Sequence, residues 1–213
     1  MRVCCHNVVP IPLVESRRND NGIWGGEFQT GTQENVLVVS PSGRGKTTLL
    51  HFLYGLRSDY CGTVSLNEAD ISSLSPEAWL KLRQNSVSLV FQDLRLFDSI
   101  TARENIELVR SITEAVSLSV VTAMAEEMGI SDQLDKPCGI LSSGQRQRIA
   151  IIRSLARPFT LLLLDEPFSH LDAENARIAV NVISCRQQET GSSIIITGLG
   201  EESYMAITRI CTL

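Results

Sequence analysis

The chain has 213 residues, 43% hydrophobic and 20% charged, which fits one globular domain with its own core and excludes wholesale disorder. Its 19 Lys and Arg against 24 Asp and Glu leave a net charge of −5, which argues against a nucleic-acid binder working through overall charge. No apolar run approaches the ~20 residues that span a bilayer, and Met1-Arg2-Val3-Cys4-Cys5-His6-Asn7 lacks the apolar core of a signal peptide, so the sequence predicts an intracellular protein that meets a membrane only through a partner.

In chain order, Val8 to Val14 reads as extended, because Pro10 and Pro12 forbid a helix interior. Ser16 to Gly22 is a polar turn, Ile23 to Phe28 a short strand with glycine breaks, and Gly31 to Asn35 a second turn. The β-branched run Val36-Leu37-Val38-Val39 predicts a buried strand, followed by a glycine-rich turn and a helix from Lys46 to Leu56. Cys61 to Leu66 alternates like a strand. Ser75-Pro76 opens a short helix, with Ser as cap and Pro at the first helical position. Val87 to Phe91 is strand-like, Thr101 to Gly129 helical with a break near Ser117, and Ser142 to Ala156 an amphipathic helix. Leu161 to Leu164 is a buried strand, Leu171 to Glu189 a helix ending at Gly191, and Ser192 to Thr197 the last clear strand. Buried strands alternating with helices predict an α/β fold with a mainly parallel sheet covered on both faces, and a helical insert near 93–147. The six cysteines form no C-x-x-C pair and are read as small buried residues or surface thiols.

Two places carry chemistry. Ser40-Pro41-Ser42-Gly43-Arg44-Gly45-Lys46-Thr47-Thr48 lies between a strand and a helix and fits the P-loop pattern, except that Ser40 stands where its first glycine is expected. Amides at a helix start and the helix dipole attract phosphate, and glycines let the backbone come close. Lys46 supplies a charge for the β- and γ-phosphates and Thr47 a hydroxyl for Mg²⁺. Further on, Leu161-Leu162-Leu163-Leu164-Asp165-Glu166-Pro167 ends a buried strand in two acids. Asp165 is the candidate to hold Mg²⁺ through water, and Glu166 to polarise the water that attacks the γ-phosphate.

Three further motifs make the chain resemble the ATP-binding cassette (ABC) ATPases. Leu141-Ser142-Ser143-Gly144-Gln145 is similar to that family's signature, Gln92 after its strand to the Q-loop glutamine, and Ser169-His170-Leu171-Asp172 to the D-loop. The resemblance runs from about Ile23 onward. It implies a P-loop NTPase core of about 1–92 and 148–213, an N-terminal β subdomain and a helical subdomain of about 93–147. It also implies that Ser40, Ser42, Gly43, Arg44, Gly45, Lys46, Thr47 and Thr48 hold ATP. Thr47, Gln92 and Asp165 would serve Mg²⁺, with Glu166 and Gln92 as catalytic residues. Ser142, Gly144 and Gln145 would reach a second nucleotide across a head-to-tail dimer, homodimer or pseudo-dimer. The insert, with Arg95, Phe97, Asp98 and Arg103 as candidates, would meet an integral membrane permease on the inner face of the cell membrane. Val90 to Phe97 and Thr101 to Ile106 are similar to the small cassettes of lipoprotein-release, macrolide-efflux and cell-division type permeases.

The sequence also departs from the family pattern. Gly198 follows the last strand where a switch histidine is usual, and His170 is read as a bystander. The zone for the adenine-stacking aromatic, Glu15 to Asn19, holds none. Trp24 is the nearest candidate and reads first as packing. The expectation is a transporter ATPase slowed by its missing histidine. The alternatives are a binding-only regulatory cassette and a soluble ABC ATPase outside transport. A coiled-coil repair type has no room in the spacing of 96 positions from Lys46 to Ser142.

Overall fold

A computed structural model describes residues 1–13, 22–113, 115–198 and 204–213. Five strands form a parallel sheet in the order β6 (Val87–Val90), β7 (Leu161–Asp165), β8 (Ser193–Gly198), β3 (Asn35–Val39) and β9 (Arg209–Thr212). Four more form an antiparallel sheet in the order β2 (Glu27–Gln29), β1 (Val3–Pro10), β4 (Tyr60–Leu66) and β5 (Ala69–Asp70). The helices are α1 (Lys46–Leu53), α2 (Pro76–Asn85), α3 (Ala102–Arg110), α4 (Leu118–Glu127), α5 (Ser143–Leu155) and α6 (Ala173–Thr190).

The parallel sheet is buried on both faces, as its apolar runs predict. Leu161, Leu163, Val36, Val38 and Ile195 point into a core shared with α1 and the antiparallel sheet. Leu162, Leu164, Leu37, Ile194 and Ile196 point the other way, into a core shared with α5, α6 and the insert. Strict alternation along each strand therefore splits one apolar run between two cores. The parallel register brings the carboxyl ends of β3, β6, β7 and β8 to one edge, where Asp165 pairs with Thr197 and Val39 with Gly198.

Several elements differ from expectation. The run read as extended from Val8 leaves the strand after Pro10 for a 3-10 turn, Ile11–Leu13, which the fixed proline φ permits, and the strand read over Ile23 to Phe28 is confined to Glu27–Gln29 after a turn. Strand β1 begins at Val3, where a break in the alternation hides it. A bulge between His6 and Val9, with Asn7 at φ 51°, puts two successive residues outside and then turns Val8 and Pro10 inward. Gly62 across the bulge is obligatory, since a Cβ there would sit 2.3 Å from the Asn7 carbonyl oxygen. Strand β9 follows β8 at the sheet edge. It alternates half-buried and exposed residues and carries Arg209, so it lacks the apolar run of a central strand. The insert is less helical than its pattern suggests. Before α5 begins at Ser143, the regular helices among its described residues are α3 and α4, and Gly129 to Leu141 is turns with two short 3-10 pieces, Ser131–Gln133 and Cys138–Ile140. The predicted break at Ser117 is the N-cap of α4, its hydroxyl accepting from the Val120 amide. Of the cysteines, Cys5 and Cys138 are buried, Cys61 and Cys185 are exposed, and all are free thiols.

Candidate functional site

Helix α1 begins at Gly45, whose φ of 99° only glycine adopts without strain. Gly43, at φ 75°, has open space around it. Behind the loop, Trp24 is fully buried, edge-to-face with Phe52 at 6.1 Å. Its indole N–H donates to the Arg44 carbonyl at 3.2 Å, and its ring lies 3.3 Å from where a Gly45 Cβ would be. Trp24 is thus a packing residue that shapes the loop from within. Ser40 avoids the left-handed region, so the missing glycine introduces no strain there, and its carbonyl accepts from Lys46.

Lys46 is only 5% exposed. Its ammonium donates to Ser40 O at 2.7 Å and pairs with Glu166 Oε1 at 3.2 Å. A buried ammonium needs such partners to offset its lost hydration. The other Glu166 oxygen accepts from Gln92 Nε2 at 3.1 Å, and Gln92 Oε1 accepts from Thr47 Oγ1 at 3.4 Å. These three contacts, closed by the peptide link from Lys46 to Thr47, make a ring across two strand ends and the start of α1. It opens into a cleft of about 310 Å³ that Ser42, Gly43, Gly45 and Thr48 also line. A second cavity of about 250 Å³ shares Thr47 and Gln92 with the first and adds Asp165, Asp93 and His51.

Several supporting residues gave no sequence signal. Thr197 on β8 donates to Asp165 Oδ1 at 2.7 Å, and its hydroxyl accepts the Glu166 amide at 3.1 Å. It holds both acids, and Glu166 needs holding because its φ is 45°. A hydroxyl closing the apolar run Ile194-Ile195-Ile196 was the one available hint. The turn after Gln92, with Leu94 and Arg95 at positive φ, is clamped by Arg153 of α5, which donates to their carbonyls at 2.6 and 2.7 Å. Burial pushes the Arg153 pKa down from its usual value. Asn105, fully buried, accepts the Phe97 amide at 2.8 Å and donates to its carbonyl at 3.0 Å, so the Phe97 side chain is presented 60% exposed. The charges nearby have partners in the chain: Asp98 with Arg146 at 2.8 Å, Arg103 with Asp135 at 2.7 Å, and Arg95 over the Phe91 ring at 4.1 Å.

Ser142, Gly144 and Gln145 lie at the start of α5 and do not line the Lys46 cleft, nor does Arg44. Ser142 and Gln145 form a capping box, and a Cβ on Gly144 would meet the His170 carbonyl at 3.1 Å. The signature and D-loop backbones therefore pack together, with the His170 side chain exposed. Asp172 caps α6, and hydrogen bonds from the Asn175 backbone and side chain hold its carboxyl below the usual range. Gly198 ends β8 beside Val39. Residues 15–19 and 201–202 lie outside the described residues.

Known proteins resemble this chain along most of its length. A family profile described as "ABC transporter" matches residues 25–169. The ABC transporter ATP-binding protein y4fO of Sinorhizobium fredii is 36% identical over 82% of this chain, which spans about half (51%) of that relative. The thiamine import ATP-binding protein ThiQ of Escherichia coli is 35% identical over 83% of this chain and 75% of its own length. The lipoprotein-releasing system ATP-binding protein LolD of Gluconobacter oxydans is 32% identical over 89% of this chain and 83% of its own length. Among solved structures, the dimeric ABC transporter cassette MJ0796 superimposes with a TM-score of 0.78, covering 92% of this chain and 87% of that one at 22% identity, a likeness of fold. The same cassette has been solved as a dimer with ADP and Pi. A profile match over more than half the chain and relatives above 30% identity settle the matter: this chain belongs to the ATP-binding cassettes of ABC transporters, a family of ATPases.

Proposed function

We propose that this chain binds and hydrolyses ATP and so drives a separate integral membrane permease. The observation that supports this most directly is the ring Lys46–Glu166–Gln92–Thr47 at the carboxyl edge of the parallel sheet. In this reading the uncapped amides of α1 and the Lys46 ammonium take the phosphates. The phosphate draws Lys46 away from Glu166, which frees the carboxylate to accept a proton from water as the water attacks the γ-phosphorus and the bond from that phosphorus to the β–γ bridging oxygen breaks, releasing ADP and phosphate. Gln92, hydrogen-bonded to Glu166 at 3.1 Å, helps to orient that water. Thr47, Gln92 and Asp165 bring oxygen donors to the two adjoining cavities, a hard set that suits Mg²⁺. Held there, the ion would supply positive charge to offset that of the phosphates.

Ser142, Gly144 and Gln145 serve the cleft of a second cassette, copy or paralogue, packed head-to-tail. The dimeric state of MJ0796 supports this by analogy. The core of about 1–92 and 148–213 carries the nucleotide, and the insert of about 93–147 presents Phe97 to the permease at the inner membrane face. Among the described residues no helix is long and apolar enough to cross a membrane, which is consistent with a separate permease. The named relatives serve thiamine import and lipoprotein release, so the cargo follows from the membrane subunit.

A second reading, a binding-only or very slow regulatory cassette, is favoured by one observation: Gly198 ends β8 where the family pattern places an imidazole donor. ATP turnover by the purified chain, beside Glu166→Gln and Gly198→His, tests both. The ATPase reading expects Glu166→Gln to lower turnover by on the order of a hundredfold or more, and Gly198→His to raise it. ATP bound but unhydrolysed in all three proteins supports the regulatory reading.

A further inference from the structure

We infer that the chain carries a second anion site, apart from the P-loop: a cavity lined by Arg95, Arg153 and Arg157 that takes a small oxyanion of the phosphate type. The cavity measures about 200 Å³ and shares no lining residue with the Lys46 cleft. It lies between Tyr54 at the end of α1, Ser88 and Leu89 of β6, Val109 of α3 and the carboxyl end of α5. Its described lining holds three guanidinium groups and no carboxylate.

The three arginines are held in different ways. Arg153 is fixed by its bonds to the Leu94 and Arg95 carbonyls, and burial already works against its charge. Arg95 lies over the Phe91 ring, with Nε at 3.3 and 3.4 Å from the Asp93 carboxylate oxygens. Arg157 has no such anchor. Among the described residues it makes no hydrogen bond and no ion pair, and its Nε is buried. A buried cationic group without a partner is costly. The carboxyl end of α5 favours cations, which accounts for their sign but not for a lining without acids.

The remaining donors suit an anion. Arginine offers paired N–H groups that match phosphate and carboxylate oxygens. The Ser88 and Ser154 hydroxyls are committed, each donating to a carbonyl at 2.7 Å. The Tyr54 hydroxyl has no hydrogen-bond partner among the described residues and adds a neutral donor. Phe91 and Arg95 also line the neighbouring cavity with Gln92 and Asp165. An anion that draws Arg95 toward Arg157 would therefore act on the turn that carries Gln92.

The test is the urea midpoint as inorganic phosphate replaces chloride at constant ionic strength. It is run in Lys46→Ala, which disables the P-loop, and in the same background with Arg157→Leu or Arg157→Lys. Exclusion of phosphate from the surface stabilises all three alike, so the signal is the difference between them. Lys46→Ala should show a saturable rise, half complete at about 1–10 mM phosphate. Both Arg157 variants should need about tenfold more phosphate or lose the rise. At zero phosphate, Arg157→Leu should be at least as stable as its parent, because it removes an unpartnered cation. Glycerol 3-phosphate in place of phosphate separates the two sources of this chemistry: a lower half-point for the ester assigns the site to phosphate esters, a lower one for phosphate to the free ion. No saturable rise in Lys46→Ala with either probe overturns the inference, and so does an equal rise with Arg157→Leu. A clear fall in midpoint for Arg157→Leu at zero phosphate overturns it too, by giving Arg157 to the fold. None of these outcomes touches the nucleotide reading, which rests on Lys46 and Glu166.

Discussion

Helices α1 and α5 both begin at motifs that the family pattern assigns to phosphate, and they begin in opposite ways. At α1 the N-cap is Gly45, left-handed, with no side chain to satisfy the first amides. At α5 the Ser142 hydroxyl accepts the Gln145 amide at 3.3 Å, and the Gln145 side chain accepts the Ser142 amide at 2.9 Å. Every helix leaves its first amides without intrahelical partners. Those of α1 line an open cleft beside a buried lysine, whereas two groups at α5 are already satisfied from within the chain. A phosphate arriving at α1 completes an unfinished helix, but one arriving at α5 must compete with the helix's own cap. In the proposed reading this difference would put nucleotide affinity at the P-loop and leave the signature to act once a second cassette brings it a bound nucleotide.

The sharpest way to break that comparison is Lys46→Ala. It removes the one buried ammonium from the cleft, and charge-assisted contacts to phosphate go with it. ATP affinity measured by calorimetry should fall about a hundredfold or more. A small loss would mean that the open amides of α1 suffice, and the asymmetry would then lie in the backbone alone.

Ser142→Ala probes the other helix and should act more mildly. Removing an N-cap hydroxyl costs about 1 kcal/mol of stability, read as a lower urea midpoint. ATP affinity of the isolated chain should stay at the wild-type value, while turnover at protein concentrations that favour the dimer falls. A matching drop in affinity would show that α5 contributes to the cleft of its own chain, against the lining described here.

The parts of this site that were legible in the sequence are those whose chemistry is local. Gly43, Gly45, Lys46 and Thr47 lie within one turn between a strand and a helix, and Asp165-Glu166 close one apolar strand, so order along the chain mirrors order in space. What the sequence did not show is what parallel pairing brings together. Thr197 matters because β8 lies beside β7, and that adjacency has no local signature. Arg153 matters because α5 packs over the turn after Gln92, dozens of residues away. The N-terminal strand escaped because a bulge broke its alternation, and β9 because an edge strand needs only half an apolar pattern. Burial of Trp24 was readable as a tendency of aromatic residues, whereas its bond to the Arg44 carbonyl was not.

The smallest expected effect tests how far the polar character of α1 extends beyond its first turn. His51 lies one turn after Thr47 in the cavity that Asp165 and Gln92 share. Burial lowers its pKa first and the Arg95 charge adds to this. Asp165 pulls it up, Arg57 lowers it and Asp93 raises it, and the net direction is down. The unfolded value is about 6.5. Between that value and the lower folded one, the unfolded chain holds more protons, so stability rises with pH across the window. His51 therefore costs the fold nothing above about pH 6.5 and destabilises it progressively as the pH falls from there toward the folded pKa. His51→Asn should flatten the wild-type loss of urea midpoint between about pH 7 and pH 5.5, and the two proteins should differ little in pH dependence above that range. Taking the difference between the two cancels every other titrating group. A variant that loses stability toward acid as steeply as the wild type would mean that the imidazole is as well solvated as in the unfolded chain, and that the polar cavity beside Thr47 stays open to water without a nucleotide.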